Sequence, residues 1–370
     1  MTEAPSDPRR TPLNELIALG WNDFYQNQQN DELAMWPVGR VIHEEKNKYR
    51  ISTGESTFWA ECSGRMLHHA VERADLPAVG DWVALYKPDG SDLALIQHVY
   101  ERRSKFSRKQ AGEETREQIV AANIDTVFLV NALNEDFNVR RIERYLTLAW
   151  ESNATPVVLL TKADLCDNPA PFVAEVESVA FGVPVHVVSA LQTEGLEQLA
   201  PYAYDGQTIA LLGSSGVGKS TLVNALMGSY VQKTQDIRED DAKGRHTTTS
   251  RTLFFLPQGG MLIDTPGMRE LQLWDSDGGL QHTFKDIEDL TQQCRFFDCT
   301  HEGEPGCAIQ AALDSGDLDR GRYQSYQKLL REQAFLERKQ DQRAYRENKR
   351  HWKSISIKAR ALTKAKQKGW

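Results

Sequence analysis

Residues Gln207 to Thr221 read QTIALLGSSGVGKST. Thr208 to Leu212 is an apolar run of strand length, Gly213 to Ser220 fits the pattern G-x-x-x-x-G-K-[ST], and Thr221 to Leu226 opens a helix. A strand, a glycine-rich loop and a helix in this order are the setting a phosphate-binding loop requires. Gly213, Gly216 and Gly218 let the loop, with Ser214, Ser215 and Val217, turn its N–H groups inward around a phosphate chain, and the helix start with Thr221 adds partial positive charge there. Lys219 would reach the β- and γ-phosphates, and the Ser220 hydroxyl would take a place on Mg²⁺. The stretch predicts a nucleoside triphosphate site.

Working outward, the runs Thr126–Val130, Pro156–Leu160, Val183–Val188, Arg251–Leu256 and Met261–Ile263 read as strands. Val139–Ser152 and Phe172–Phe181 have helical spacing. Alternating strands and helices predict a mostly parallel sheet covered on both faces. Ligands bind at the carboxyl ends of such strands, and three motifs fall there. In Thr161-Lys-Ala-Asp164, the carboxylate can accept both donors of the guanine N1–H and N2–H₂ edge, which adenine lacks, while the Lys162 stem can lie over the base. Ser189-Ala190 offers a backbone N–H to the guanine O6. In Asp264-Thr-Pro-Gly267, Asp264 can hold Mg²⁺ through water and the Gly267 N–H can meet the γ-phosphate.

Guanine is the predicted base. The motif order is unusual, because the base-reading elements precede the phosphate loop and Asp264–Gly267 comes last: the set is circularly permuted. The switch segments, about Asp236 to Arg251 and Asp264 to Leu273, thus end the domain and could pass nucleotide state to the C-terminal domain. Position 268 is Met, where Ras-type GTPases place a water-orienting glutamine. His246, in Gly244-Arg-His-Thr-Thr-Thr249, is the candidate to position or deprotonate water; an exposed loop histidine is the other reading. Either Thr248 or Thr249 completes the Mg²⁺ shell. Thr161 stands where Asn is usual, and its shorter side chain is expected to tether the phosphate loop less well.

The rest of the 370 residues suggest further domains. Five short alternating runs between Trp36 and Val99 fit a small β-barrel of OB type, although an SH3-like barrel would read much the same. Residues 1–35 are expected to form a loosely held arm, in which Leu13 to Trp21 could form a short helix. In Glu101–Lys109, basic residues surround Phe106, so the segment reads either as phosphate contacts beside a stacking ring or as a solvated connector. Cys294, Cys299, His301 and Cys307 supply three thiolates and an imidazole, a set suited to a closed structural Zn²⁺ site. Leu318 to about Trp352 reads as a polar helix anchored by Tyr326, Leu329, Leu330, Phe335 and Leu336. The net charge of −8 is uneven: residues 342–370 carry ten basic side chains against Glu347, leaving −17 on the remainder. Such a basic end suggests a polyanion, or else a solvated tail. No apolar run is long enough to cross a membrane and the first residues lack a leader's apolar core, which points to the cytoplasm.

A barrel, a permuted GTPase motif set and a following Cys/His cluster together resemble the ribosome small-subunit-dependent GTPase A family (RsgA, also called YjeQ), over about Trp36 to Leu330. The resemblance implies a multidomain chain. Residues 1–35 would be the arm, 36–112 an OB-like β-barrel, 113–278 an α/β P-loop GTPase with circularly permuted motif order, 279–340 a zinc-binding helical domain, and 341–370 a basic tail. It also implies a monomeric GTP hydrolase using Mg²⁺ and one zinc, with a histidine at position 246 acting on water. The implied partners are the small ribosomal subunit and its rRNA. A nucleotide-gated RNA-binding protein with incidental hydrolysis is the main alternative, and a GTP-dependent metal or small-molecule handling protein a third.

Overall fold

Residues alternate inward and outward along five strands that close into a barrel. The computed structural model describes residues 12–45, 48–88, 90–109, 117–228, 251–264 and 278–339. Strands β1 (Val38–Glu45), β2 (Lys48–Ser52), β3 (Thr57–Cys62), β4 (Trp82–Tyr86) and β5 (Leu93–Val99) pair in the order β1-β2-β3-β5-β4, and β4 returns to β1. β3 and β5 run parallel, and a short helix (Gly64–His69) fills the connection after β3. This is the OB-like arrangement. Val41, Tyr49, Ile51, Ala60, Val83, Leu85, Ala94 and Ile96 fill the barrel.

A hairpin of β6 (Lys105–Lys109) and β7 (Glu117–Ala122) leads to the α/β part. There β8 (Thr126–Ala132), β9 (Thr155–Thr161), β10 (Val185–Val187), β11 (Thr208–Leu212), β12 (Arg251–Phe255) and β13 (Met261–Asp264) take the order β10-β9-β8-β11-β13-β12. All pair in parallel except β12, which is antiparallel to β13. β8 is buried at every position, as a central strand covered on both faces must be. Phe128, Val130, Ile209 and Leu211 pack with Leu222 and Leu226 on one face. Val127, Leu129, Ala210 and Leu212 join Ile142, Leu146 and Ala149 on the other. β12 also pairs with β1, Thr252 opposite His43 and Arg251 opposite Glu44, so barrel and α/β sheet share one hydrogen-bonded ladder.

Two expectations are corrected. The arm is not loose where it is described: Leu16, Leu19, Trp21 and Tyr25 are buried, and Trp21 meets Trp82 and Tyr100 edge-on at 5.0 and 5.2 Å. Buried Arg40 fastens these parts together. It donates to the carbonyls of Leu19 at 2.5 Å, Gly80 at 3.2 Å and Asn123 at 3.0 Å, and burial lowers its pKa to about 10. The segment after the barrel offers no stacking ring, because Phe106 is 1% exposed. Three of its cations are in ion pairs, Arg102 with Asp81, Arg103 with Asp125 and Lys105 with Glu117.

The C-terminal part lies against the helix Val139–Glu151, named α4 after α1 (Leu13–Ala18), α2 (Asp23–Gln26) and α3 (Gly64–His69). A Cβ on Gly279 would come within 2.6 Å of the Thr147 carbonyl oxygen, so this approach needs glycine. A long helix spans 320–339. Of its expected anchors Tyr326, Leu329 and Leu336 are buried, whereas Leu330 and Phe335 are exposed.

Candidate functional site

Parallel register brings the motifs to one edge. Ala132 lies opposite Thr161, Leu160 opposite Val187, Leu129 opposite Leu212, and Ala210 opposite Ile263. The segments leaving the carboxyl ends of β8, β9, β10, β11 and β13 therefore converge. Among them are Thr161–Asp164, Ser189-Ala190, Gly213–Ser220 and Asp264, despite their order in the chain.

The phosphate loop is shaped by its glycines. Gly216 and Gly218 have φ of 79° and 93°, and a Cβ on Gly213 would sit 2.5 Å from the Val130 carbonyl oxygen. The helix Lys219–Met227 follows, with Ser220 and Thr221 in its first turn. Lys219 folds back so that Nζ donates to the carbonyls of Gly213 at 2.7 Å and Ser214 at 2.5 Å. Its ammonium is thus held over the loop by weak acceptors that phosphate oxygens would displace.

Thr161 is 2% exposed and donates Oγ1 to the Val217 carbonyl at 2.6 Å. The same hydroxyl lies 3.1 Å from the Asn131 carbonyl. The expected weak tether is therefore a short, buried hydrogen bond, because β9 brings the residue close enough for the shorter side chain. Lys162 takes a left-handed conformation, φ 61°, at the turn out of β9. The Ser189 hydroxyl donates to Asp164 Oδ1 at 2.6 Å and so orients the carboxylate expected to read guanine. Ser189 also exchanges backbone hydrogen bonds with Glu194, which fixes the loop bearing Ala190. His246, Thr248, Thr249, Gly267 and Met268 lie outside the described residues, as do most of the switch segments and residues 341–370.

Asp136 and Arg141 belong to no motif visible in the sequence. Arg141 donates to Asp136 Oδ2 and to the Ser214 hydroxyl, both at 2.8 Å, and Ser214 donates to Asp136 at 3.0 Å. This ties the second residue of the phosphate loop to the start of α4, where Asn138 caps the helix by accepting from the Arg141 N–H. The hydrogen bonds from Arg141 hold the Asp136 carboxyl below its usual range. The legible signal is Asn138, a capping residue after a strand end, which aims the helix's first turn at the loop.

Neighbours on α4 grip the C-terminal region. Arg144 makes two bonds to Glu332, at 2.6 and 2.9 Å, and Arg140 pairs with Asp319. Fully buried Glu143 accepts from Arg322 at 2.9 Å, and Arg322 in turn forks onto Asp286 at 2.8 and 2.6 Å.

Cys294, Cys299, His301 and Cys307 place their ligand atoms within 4.8 Å of one another. His301 Nδ1 lies 3.5 Å from Cys294 Sγ and 3.4 Å from Cys307 Sγ, and those sulfurs are 4.0 Å apart. Tetrahedral zinc with ordinary bond lengths requires S–N edges of about 3.5 Å and S–S edges of about 3.8 Å. The residues fit that ion. Gln310 Nε2 supports the site by donating to the His301 carbonyl at 2.6 Å.

The sheet order and the phosphate loop, with the base-reading motifs ahead of it, define a circularly permuted P-loop GTPase fold. The chain belongs to the RsgA GTPase family, whose model matches residues 99–274. It is 46% identical over 334 residues to "Small ribosomal subunit biogenesis GTPase RsgA 1" of Oceanobacillus iheyensis, covering 90% of this chain and 95% of that one. A relative from Vibrio parahaemolyticus, "Small ribosomal subunit biogenesis GTPase RsgA 2", is 47% identical over 323 residues, 87% of each chain. The crystal structure of YjeQ from Thermotoga maritima, 28% identical, matches with a TM-score of 0.60 over 80% of this chain and 98% of that one. YloQ, described as a circularly permuted GTPase, shares the fold at 21% identity and a TM-score of 0.57, over 83% of this chain and 98% of its own.

Proposed function

We propose that this protein binds the small ribosomal subunit and its rRNA during late maturation, and hydrolyses GTP to time its own release. One observation supports this most directly: Asp164, held by Ser189, stands at the same sheet edge as the phosphate loop. Within the reading, Asp164 and the Ala190 N–H select guanine, with Lys162 over the base. Gly213–Gly218 and Lys219 hold the phosphates, and Thr161 keeps the loop stiff through Val217. Mg²⁺ held by Ser220, by Thr248 or Thr249, and through water by Asp264, would neutralise charge on the β- and γ-phosphates. Gly267 donates to the γ-phosphate, and His246 positions the attacking water that Met268 cannot orient. The ribosomal target rests on the names of the curated relatives.

Zinc at Cys294, Cys299, His301 and Cys307 serves as a structural clamp in this reading, and the protein acts as a cytoplasmic monomer. No helix among the described residues is long and apolar enough to cross a membrane.

The test is GTP hydrolysis by the purified protein, alone and with small subunits, at low and moderate salt. Strong stimulation is expected, and His246→Ala should cut the stimulated rate about 10²- to 10⁴-fold, the range for losing a general base. GTP binding without stimulation would replace the timer with a nucleotide-gated RNA binder. Zinc lost readily on dialysis against a chelator would favour a metal-handling role instead.

A further inference from the structure

On the outer face of the barrel, three side chains form one row across adjacent strands. His43 of β1 is opposite Arg50 of β2, which is opposite Trp59 of β3. Their neighbours along the strands, Tyr49, Ile51 and Ala60, point into the barrel, so strand alternation sends the row outward. Trp59 remains 38% exposed, and Arg50 is exposed beside it. His43 meets Trp59 edge-on at 6.1 Å. Its Nδ1 is engaged by the Thr252 hydroxyl at 2.9 Å, while Nε2 has no partner among the described residues. Lys48 is the next outward cation on β2, in an exposed pair with Glu61 at 3.4 Å that water screens heavily.

We propose that this row is a stacking platform for an unpaired RNA nucleotide. The indole supplies a flat apolar face for the base. Arg50 and Lys48 supply cations for the adjoining phosphates, and His43 Nε2 supplies a polar atom for a base edge or ribose hydroxyl. Strands 2 and 3 form the face through which OB barrels take oligonucleotides, and stacking on an aromatic ring tolerates any base. A duplex hides its base faces and cannot use a lone ring in this way. An added peptide strand is excluded at the row, because β2 lies between β1 and β3, and β3 between β2 and β5, leaving neither with a free edge. Thr252 belongs to β12, the strand that comes after the first switch segment, so the platform's His43 end is fixed to the GTPase sheet. The proposal deepens the rRNA partner named above, but its test does not depend on the ribosome.

The test uses the full chain and a short fluorescein-labelled single-stranded oligoadenylate, read by anisotropy at two salt concentrations. Trp59→Ala should weaken binding about tenfold to a hundredfold, the range for removing one stacking ring, and Trp59→Phe should recover most of it. Arg50→Ala should lower the slope of log K against log salt by about one contact's worth. Thermal melting of Trp59→Phe controls for the barrel's integrity. The proposal is overturned if the wild type fails to bind the strand, if Trp59→Ala binds it equally well, or if a duplex is bound as tightly and loses as much. Failure of GTPase stimulation by subunits leaves every one of these readouts intact.

Discussion

At Thr161 a hydroxyl does what a longer carboxamide does in the commoner guanine-reading sequence. Its bond to the Val217 carbonyl is buried, so removing it leaves an acceptor without water, at about 1–3 kcal/mol. Thr161→Ala should therefore weaken GTP binding about tenfold in a titration with a fluorescent GTP analogue, with Thr161→Asn within a few-fold of wild type. Wild-type affinity in Thr161→Ala would remove the tether from the account. Asp136 and Arg141 set a second test, because they are opposite charges on the same loop residue, Ser214. Removing either changes the local charge by one unit without touching Lys219. Asp136→Ala should tighten GTP binding on the order of threefold at low salt, and Arg141→Ala should weaken it by a similar factor. Both effects should shrink as salt rises. Equal signs for the two variants would mean that packing, not charge, is what they share. Arg141 keeps the Asp136 carboxyl below its usual range, so the pair is intact at neutral pH. It is lost only as pH falls through that lowered value, and neither variant should alter the pH dependence of binding between pH about 6 and 8.

α4 carries Arg141 toward the phosphate loop, and Arg140, Glu143 and Arg144 toward the C-terminal region. The pair of Glu143 and Arg322 is the buried part of that grip. Arg322→Ala would leave Glu143, 0% exposed, with Arg140 as its remaining cation and the Thr283 carbonyl without its donor, and should cost about 1–3 kcal/mol in denaturant unfolding. Glu143→Gln should cost less, since Asp286 still pairs with the guanidinium. The segment around Cys294–Cys307 has little apolar core of its own, with Phe297 fully exposed. Metal analysis should find about one zinc per chain. Cys307→Ser should abolish it and lower the thermal midpoint, and an unchanged midpoint would make the cluster dispensable for folding. Local periodicity and spacing make much of this legible: the barrel's strands, buried β8, the phosphate loop and the Cys/His cluster all announce themselves within a few residues. What they hide depends on distant partners. Phe106 is buried because β6 pairs with β7, Arg40 because the segments of Leu19, Gly80 and Asn123 close around it, and Trp21 because Trp82 and Tyr100 receive it. Thr161 reads as a weaker tether in the sequence because reach depends on backbone placement, which composition does not carry.

The whole molecule joins its GTPase sheet to both flanking parts. On one side the ladder of β12 and β1 is reinforced by Arg251, which bonds Glu44 at 3.0 Å, so the strand leaving the first switch is also a barrel neighbour. On the other, α4 connects the phosphate loop to helix 320–339, a route that complements the covalent one the permuted order suggests. Charge is distributed at the same scale, since ten basic side chains within residues 342–370 oppose a body of −17. An acidic body is repelled by a polyanion, so its approach should depend on the basic end and on salt. Each phosphate contact made by that end releases counterions and contributes about 0.7 to 0.9 to the slope of log K against log salt. Removing residues 341–370 should therefore weaken association with the small subunit most at low salt, and flatten the slope by at least two such contacts. The comparison is made by sedimentation with purified subunits across a salt series, with GTP bound throughout. An unchanged slope would assign the phosphate contacts to the folded body, whose outward-facing Lys48 and Arg50 would then carry the electrostatic part of docking.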